Sequence, residues 1–274
     1  GLIMADYFTH YYLGKELIKK MEKNIIDENL FLLGCQGPDI YYYLKFAVET
    51  NPPNLGQLIH KDKTKDVFKK VFIFLKDNNQ LYLKSYIYGC ILHYILDKNI
   101  HPYIDSKIDY NHKRLEANID TYIIDKYLNK SIFSLDSSSI LRVNKNHRNI
   151  LILYKNIAKD VFNIPFVSED YYKSISHFRI FHKVVNQKNI FLRKIIALAT
   201  KIFNYDLENY FYLGINEVKL PIDIEKVDEI IINSINESEI IISKLNRYLI
   251  SEITLFELMD EFNDINYSGI LINA

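Results

Sequence analysis

The sequence predicts an all-α protein, a multi-helix bundle, and two observations support this. Apolar residues recur at helical spacing along most of the chain, and glycine- or proline-containing turns separate the periodic runs. With 274 residues, of which 49% are hydrophobic, the chain can bury a substantial core. We expect one all-α domain, with a metal-site core at about 5–128 and a helical C-terminal part at about 145–274; a second helical subdomain is the alternative.

The predicted helices follow one another with short connections. "GCQGPDIYYY" (34–43) is a turn that could open another short helix, and "NPPNLG" (51–56) is a loop. In 225–249, Val227, Ile231, Ile235, Ile242, Leu245 and Leu249 share one stripe, as in a helix that faces a core. The most linker-like segment is "SIFSLDSSS" (131–139). The predicted helices span residues 9–23, 64–76, 81–100, 111–128, 146–162, 170–184, 189–204, 225–249 and 254–263.

Composition excludes some classes of function. Lys+Arg and Asp+Glu balance at 34 each, so no basic surplus favours nucleic-acid binding. No segment has about 18 uninterrupted apolar residues, so we expect no transmembrane span. The two cysteines do not form a disulfide framework, which favours a cytoplasmic protein. Secretion after removal of a signal peptide is the alternative.

The most informative stretch is "YGCILHYILDKNIHPYI" (88–104), where His93, Asp97 and His101 follow at steps of four. Each residue turns a helix by about 100°, so the three side chains occupy about 80° of arc. Gly89 continues this stripe without a side chain, which would allow another backbone or an ion to approach closely. Pro102 cannot continue the hydrogen-bond ladder. We therefore expect the helix to end near His101 and His101 to serve a neighbouring site.

Other residues of metal-binding type precede and follow this helix. His112 and Glu116 in "HKRLE" are one turn apart, and an imidazole and a carboxylate at that spacing can hold one cation. Upstream, His10, Asp39 and His60 are further candidates. Singly, each has an ordinary structural explanation, such as a core histidine, a solvated pair or a turn-forming aspartate. His147, His177 and His182 lack such partners and are interpreted as surface or core residues.

The ordered set resembles the zinc-dependent phospholipase C family. The matching text is "THYYLGKE", "LLGCQGPDIYYY", "LIH", "GCILHYILDKNIHPYI" and "HKRLEANID", over roughly residues 5–120. Zinc nucleases of fungi and plants that cut single strands share this architecture. The resemblance implies an all-α fold and two or three Zn²⁺ ions.

Carried onto this sequence, the resemblance implies three groups of ligands. Asp39, His60, His93 and Asp97 would surround one zinc. His10 would hold a second zinc together with Asp97, which would bridge the two ions. His101, His112 and Glu116 would hold the third.

The resemblance also concerns the surroundings of these ligands. In secreted members the free N-terminal amine is a further ligand, which Gly1 or Ala5 would have to supply. The aromatic and acidic cage that grips choline in those enzymes is not evident, since Ile40 and Gln57 stand where they place aromatic side chains. Asp120, one turn after Glu116, is expected to support His112 by accepting a hydrogen bond from its ring.

The predicted function is therefore zinc-dependent phosphodiester hydrolysis, resembling phospholipase C, with a zinc-bound water attacking phosphorus and Asp39 orienting or deprotonating that water. The expected partner is a phospholipid headgroup or a small phosphodiester. The alternatives are a nuclease on the same site, which the balanced charge disfavours, and a non-catalytic, metal-stabilised helical binding protein. An HD-type phosphohydrolase is discounted because no histidine is followed by aspartate.

Overall fold

The structure is a computed structural model, and it describes residues 7–21, 27–46, 50–136, 147–203, 205–219 and 223–272. Within these ranges it contains helices, one isolated β-bridge between Ile265 and Leu271, and no strand. The chain is therefore all-α, as predicted. In order, the α-helices are α1 (Tyr7–Lys20), α2 (Glu28–Gly34), α3 (Leu55–Lys61), α4 (Thr64–Asp77), α5 (Leu81–Asp105), α6 (His112–Leu128), α7 (Arg148–Asn156), α8 (Ser168–Val185), α9 (Ile190–Ile202), α10 (Ile224–Leu249) and α11 (Leu255–Met259).

Short helical turns lie between these helices. A 3₁₀ helix, Gly37–Lys45, follows α2, and a π-helical turn, Ile157–Val161, extends α7. The other 3₁₀ turns among the described residues are Ile132–Ser134, Glu208–Tyr210 and Ile215–Glu217. Residues 137–146, which include the end of the expected linker, lie outside the described ranges.

The central element is α5, whose residues are buried along most of its length. It packs against α2 and α10, and the contact with α2 depends on two glycines. A Cβ atom added to Gly89 would lie 2.2 Å from the carbonyl oxygen of Phe31, and one added to Gly34 would lie 2.0 Å from that of Tyr86. The close approach expected at Gly89 is therefore that of the α2 backbone, which brings the end of α2 against the site-bearing stripe of α5.

The predicted end of α5 near His101 is wrong. The helix continues through Pro102 to Asp105, so His101 keeps helical geometry. Pro102 has no amide hydrogen to donate to the Lys98 carbonyl, so one helical hydrogen bond is missing. A turn near the C-terminus, which contains Gly269, packs against that carbonyl. A Cβ on Gly269 would lie 2.8 Å from the Lys98 carbonyl oxygen and 2.4 Å from the Pro102 ring. Packing from a distant part of the chain thus covers the position of the missing hydrogen bond.

Two short helices that periodicity did not predict carry or support site residues. Asp27 caps α2 by accepting a hydrogen bond from the Leu30 amide. Asn54 opens α3 through a capping box with Gln57, in which each side chain accepts a bond from the other residue's backbone N–H. The last two residues of the expected loop 51–56 therefore belong to α3, which begins at Leu55. Gln57 caps the helix that carries His60.

The C-terminal half is helical, as expected. In α10, five of the six residues of the predicted stripe are buried and Leu249 is half-buried. Buried side chains from α1 through the segment after α11 belong to one hydrophobic cluster. Among the described residues, no helix is both long and apolar enough to cross a bilayer.

Candidate metal centre

Five elements bring the eight predicted ligand residues together. His10 comes from α1, Asp39 from the 3₁₀ helix Gly37–Lys45 and His60 from α3, whereas α5 and α6 supply the other five. Potential ligand atoms lie within 4.8 Å of one another in two groups, which we call the inner cluster (Asp39, His60, His93, Asp97) and the outer cluster (His101, His112, Glu116).

The inner cluster is buried, and its polar atoms converge. Nε2 of His60 lies 2.7 Å from Oδ1 of Asp39 and 4.0 Å from Oδ2 of Asp97. Nε2 of His93 lies 3.5 Å and 3.2 Å from the same two oxygens. None of these four atoms has a hydrogen-bond partner of acceptable geometry. Buried polar atoms without partners are costly, so their convergence on one point is what a cation site requires.

Backbone carbonyls orient both imidazoles. Nδ1 of His60 donates to the Gly56 carbonyl at 2.7 Å, and Nδ1 of His93 donates to the Cys35 carbonyl at 3.1 Å. Carbonyl oxygens can only accept, so Nδ1 carries a proton in each ring. Each Nε2 must then either carry a second proton or present its lone pair to a cation. A donor bond from the far ring nitrogen is the usual support of a metal-binding histidine.

Electrostatics makes the same point. Burial raises the pKa of Asp39, but interactions with His93 and His60 outweigh it and hold that pKa at about 2. Burial lowers the pKa of His93, yet Asp97 and Asp39 raise it to about 9. Burial also raises the pKa of Asp97, and the surrounding histidines bring it well below its usual range. Two buried carboxylates are thus ionised, and protonated imidazole or a divalent cation must balance them.

His10 joins the inner cluster through Asp97. Its Nε2 lies 3.0 Å from Oδ1 of Asp97, while Oδ2 of that carboxylate faces His93. The His10 ring also stacks on the His93 ring, with centroids 4.2 Å apart. One oxygen of Asp97 therefore faces His10 and the other faces His93, which is the arrangement that a bridging carboxylate needs.

Asp120 supports the helix that carries His10. Oδ1 accepts from the backbone N–H and the hydroxyl of Thr9, both at 2.7 Å. Oδ2 accepts from the Phe8 amide and the Tyr212 hydroxyl, both at 3.0 Å. The expectation paired Asp120 with His112, whereas three of these four bonds tie it to the first turn of α1 and the fourth ties it to Tyr212.

The outer cluster has one partly exposed member, His112, whereas His101 and Glu116 are fully buried. Nε2 of His112 is 2.7 Å from Oε1 of Glu116, and Nε2 of His101 is 3.5 Å from the same oxygen. Burial raises the pKa of Glu116, but Lys113 and His112 lower it well below its usual range. Nζ of Lys113 donates to Oε2 at 3.0 Å, so Oε1 is the oxygen that faces the histidines.

The sequence did not reveal two residues that orient the outer cluster. Nδ1 of His101 donates to the Tyr267 carbonyl at 2.8 Å, and Nδ1 of His112 lies 2.8 Å from Oδ1 of Asp105. Asp105 continues the four-residue series of α5, a signal that extending the helix past Pro102 would have exposed. Tyr267 carries no local signal, although its ring also packs against His60 at 4.5 Å between centroids.

Gly37 was also missed. Its φ is +47°, and a Cβ there would lie 2.5 Å from the His93 ring. A side chain would therefore be strained and would displace His93. Of the remaining histidines, His147 and His182 are buried and His177 is half-buried, in agreement with their interpretation as surface or core residues.

The comparison with known proteins bears on this site directly. A sequence model of the zinc-dependent phospholipase C family matches residues 9–164, more than half of the chain. The chain belongs to the zinc-dependent phospholipase C family. That family catalyses phosphodiester hydrolysis with zinc, and the resemblance noted in the sequence is thereby confirmed. No curated protein and no solved structure matches the chain.

The residues present fit the metal that this family uses. Imidazole nitrogens and carboxylate oxygens are zinc ligands, and each cluster supplies at least three. In the inner cluster the atoms without partners are the ones that would face the ion. Gly1 and Ala5, the candidates for an amine ligand, lie outside the described residues.

Proposed function

We propose that the chain is a zinc-dependent phosphodiester hydrolase whose substrate is a phospholipid headgroup ester or a small phosphodiester. One observation carries the proposal. Two buried carboxylates and two carbonyl-oriented imidazoles of the inner cluster aim atoms without hydrogen-bond partners at one point. A fold maintains such an arrangement at considerable cost, which binding of a divalent cation would offset.

The proposed ligand sets follow the two clusters. Asp39, His60, His93 and Asp97 hold one zinc, and His101, His112 and Glu116 hold another. A further zinc binds between His10 and Asp97, which makes the total two or three ions. Bound zinc would supply Lewis-acid stabilisation of phosphate oxygens and would lower the pKa of a water molecule.

Asp39 is the proposed catalytic residue of this chain. It stands in the first turn of a 3₁₀ helix, and it is 6% exposed, whereas Asp97 is fully buried. With a pKa of about 2, its carboxylate is ionised at neutral pH. It can therefore accept a hydrogen bond from the attacking water and orient that water toward phosphorus.

The substrate proposal rests on charge. With 34 basic and 34 acidic residues, the chain lacks the surplus of positive charge with which proteins hold nucleic-acid strands. A phosphodiester of a lipid or of a small molecule does not require such a surface. A nuclease and a metal-stabilised binding protein remain as outcomes of the test.

The test compares His93→Ala with His147→Ala, which removes a buried histidine that bonds Tyr171 outside both clusters. Metal content is measured by mass spectrometry on protein purified with zinc and without chelator. Turnover is measured on a phosphocholine ester, a bis-aryl phosphodiester and single-stranded DNA. We expect His93→Ala to lose at least one zinc and about 10³-fold in activity, and His147→Ala to retain both.

Each outcome separates the alternatives. Full zinc and full activity in His93→Ala would refute the site. Cleavage of DNA alone would favour the nuclease, and tightly held zinc without turnover of any substrate would favour the binding protein. Circular dichroism of both variants verifies that they fold.

A further inference from the structure

Helix α9 is amphipathic, but its apolar face is exposed to solvent and a charged residue lies on its buried face. Its buried residues are Arg193 and Ala197. Phe191, Ile195, Leu198 and Ile202 are between 48% and 75% exposed. At about 100° per residue these four fall within about 60° of arc, so they form one continuous apolar stripe, which we call the α9 stripe.

Polar contacts hold the helix in this orientation. Nη1 of the buried Arg193 donates to the Tyr212 carbonyl at 3.0 Å, and Nη2 lies 3.3 Å from Oε2 of Glu217. Asn189 caps the N-terminus by accepting from the Phe191 and Leu192 amides. Rotating the helix to bury the stripe would expose Arg193 and break these bonds. The fold therefore holds the apolar face outward. Because contiguous exposed apolar patches usually mark a binding surface, the α9 stripe is a candidate for one.

The charge around the stripe indicates what covers it. Residues 187–203 contain four basic residues and no acidic one, whereas the chain as a whole has 34 of each kind. Three of the four, Lys188, Lys194 and Lys201, are not buried, whereas Arg193 is buried and paired with Glu217. Lys194 and Lys201 lie beside the stripe on the helical wheel and are exposed. Nζ of Lys201 also donates to Oε2 of Glu208 at 2.6 Å, an exposed pair that an anionic headgroup would have to displace, so Lys194 is the main contributor of positive charge. An apolar face flanked by lysines is complementary to a membrane surface with anionic headgroups, where rings and aliphatic chains enter the acyl boundary.

The segment after α9 contacts two of the helices that carry candidate metal ligands. Tyr205 donates its hydroxyl to the carbonyl of Phe46, which ends the 3₁₀ helix that carries Asp39. Arg114, between His112 and Glu116 on α6, donates to the Phe211 carbonyl at 2.6 Å. Residues 205–211 thus connect the Asp39 helix with the helix of the outer cluster, and a surface bound by α9 would lie next to both.

We propose that α9 docks the protein onto a lipid surface containing anionic phospholipid, with the α9 stripe inserted and Lys194 and Lys201 at headgroup level. The choice of a lipid occupant rests on the proposed function, since a hydrolase of phospholipid esters must meet its substrate at such a surface. Docking is nevertheless a separate property, and it can be measured without turnover.

The test is sedimentation of the zinc-loaded protein with vesicles of phosphatidylcholine, alone or with about one third phosphatidylserine. We expect the wild-type protein to bind the anionic vesicles and Leu198→Asp/Ile202→Asp to bind at least about tenfold more weakly. The matched control is Phe256→Asp, because Phe256 is 76% exposed on α11 and we expect its replacement to change nothing. Lys194→Gln should lose about fivefold on anionic vesicles and little on neutral ones.

Three results would overturn the proposal: no binding of the wild-type protein to anionic vesicles, equal binding by the double variant, or a dimer in sedimentation velocity that the double variant abolishes. Hydrolysis of the water-soluble phosphocholine ester separates this proposal from the proposed function. Turnover of the ester without vesicle binding refutes docking alone, whereas vesicle binding without any turnover refutes the hydrolase alone. The double variant should keep wild-type turnover of the soluble ester.

Discussion

The inner and outer clusters differ in burial and in how their charge is balanced. The inner cluster joins two ionised carboxylates to two imidazoles, and Asp97 within it is fully buried. The outer cluster has one carboxylate, which Lys113 already partly neutralises, and the His112 side chain is 26% exposed. Removing an ion from the inner cluster would leave two carboxylates buried, whereas the outer cluster has one carboxylate and one partly exposed ligand residue, His112. We therefore expect a tightly held ion at the first and a more labile ion at the second.

The largest difference between the two clusters is expected in the activity lost when Asp97 or His112 is replaced. Asp97→Ala removes the carboxylate that faces both His10 and His93, so it should cost at least about 10³-fold in activity. His112→Ala should cost only about 10- to 100-fold, because the inner cluster stays complete. Activity on the soluble ester and zinc content are the measurements, with the exposed Asp125→Ala as control. Equal losses in the two variants would contradict a difference between the clusters.

A second, smaller effect concerns pH. In metal-free protein the pKa of His93 is raised from 6.5 to about 9, so its contribution to stability is complete below pH 6.5 and lost as pH rises through 9. The free energy of unfolding should therefore fall by on the order of 3 kcal/mol over that window. With zinc the sign reverses, since the ligand must be deprotonated and affinity increases with pH.

Urea unfolding at pH 6.5 and pH 9, with chelator and with zinc, checks both signs. His93→Gln is the control, because it lacks the titrating group and should remove that group's contribution. Metal-free protein that is as stable at pH 9 as at pH 6.5 would show that Asp97 and Asp39 do not retain a proton on His93.

The smallest expected effect is a loss of metal affinity at the outer cluster when Asp105 is replaced. Asp105→Asn weakens the acceptor that orients His112 through Nδ1, 2.8 Å away. Affinity for the labile ion should fall about tenfold, and the tightly held ion should be unaffected. Competition with a chromogenic chelator measures both, and Asp109→Asn, an exposed neighbour, is the control. An unchanged affinity in Asp105→Asn would mean that His112 needs no such support.

Local pattern and residue type predicted much of this arrangement. Spacing on α5 and α6 singles out five of the eight candidate ligands, the resemblance to the zinc-dependent phospholipase C family joins them to His10, Asp39 and His60, and the structure brings all eight together. What escaped prediction depends on contacts between distant residues. Nothing local indicates that the Tyr267 carbonyl orients His101, or that Gly269 packs against Pro102 and allows α5 to continue. The outward face of α9 was also hidden, because an amphipathic sequence does not tell which of its faces the fold buries.

Zinc-edge anomalous diffraction from crystals grown with zinc tests the central claim most directly. We predict one difference peak among Nε2 of His60, Nε2 of His93 and the carboxylates of Asp39 and Asp97. A second peak should lie among His101, His112 and Glu116, and should weaken first when the crystals are soaked in chelator. Absence of a peak in the inner cluster under zinc-replete conditions would contradict the account.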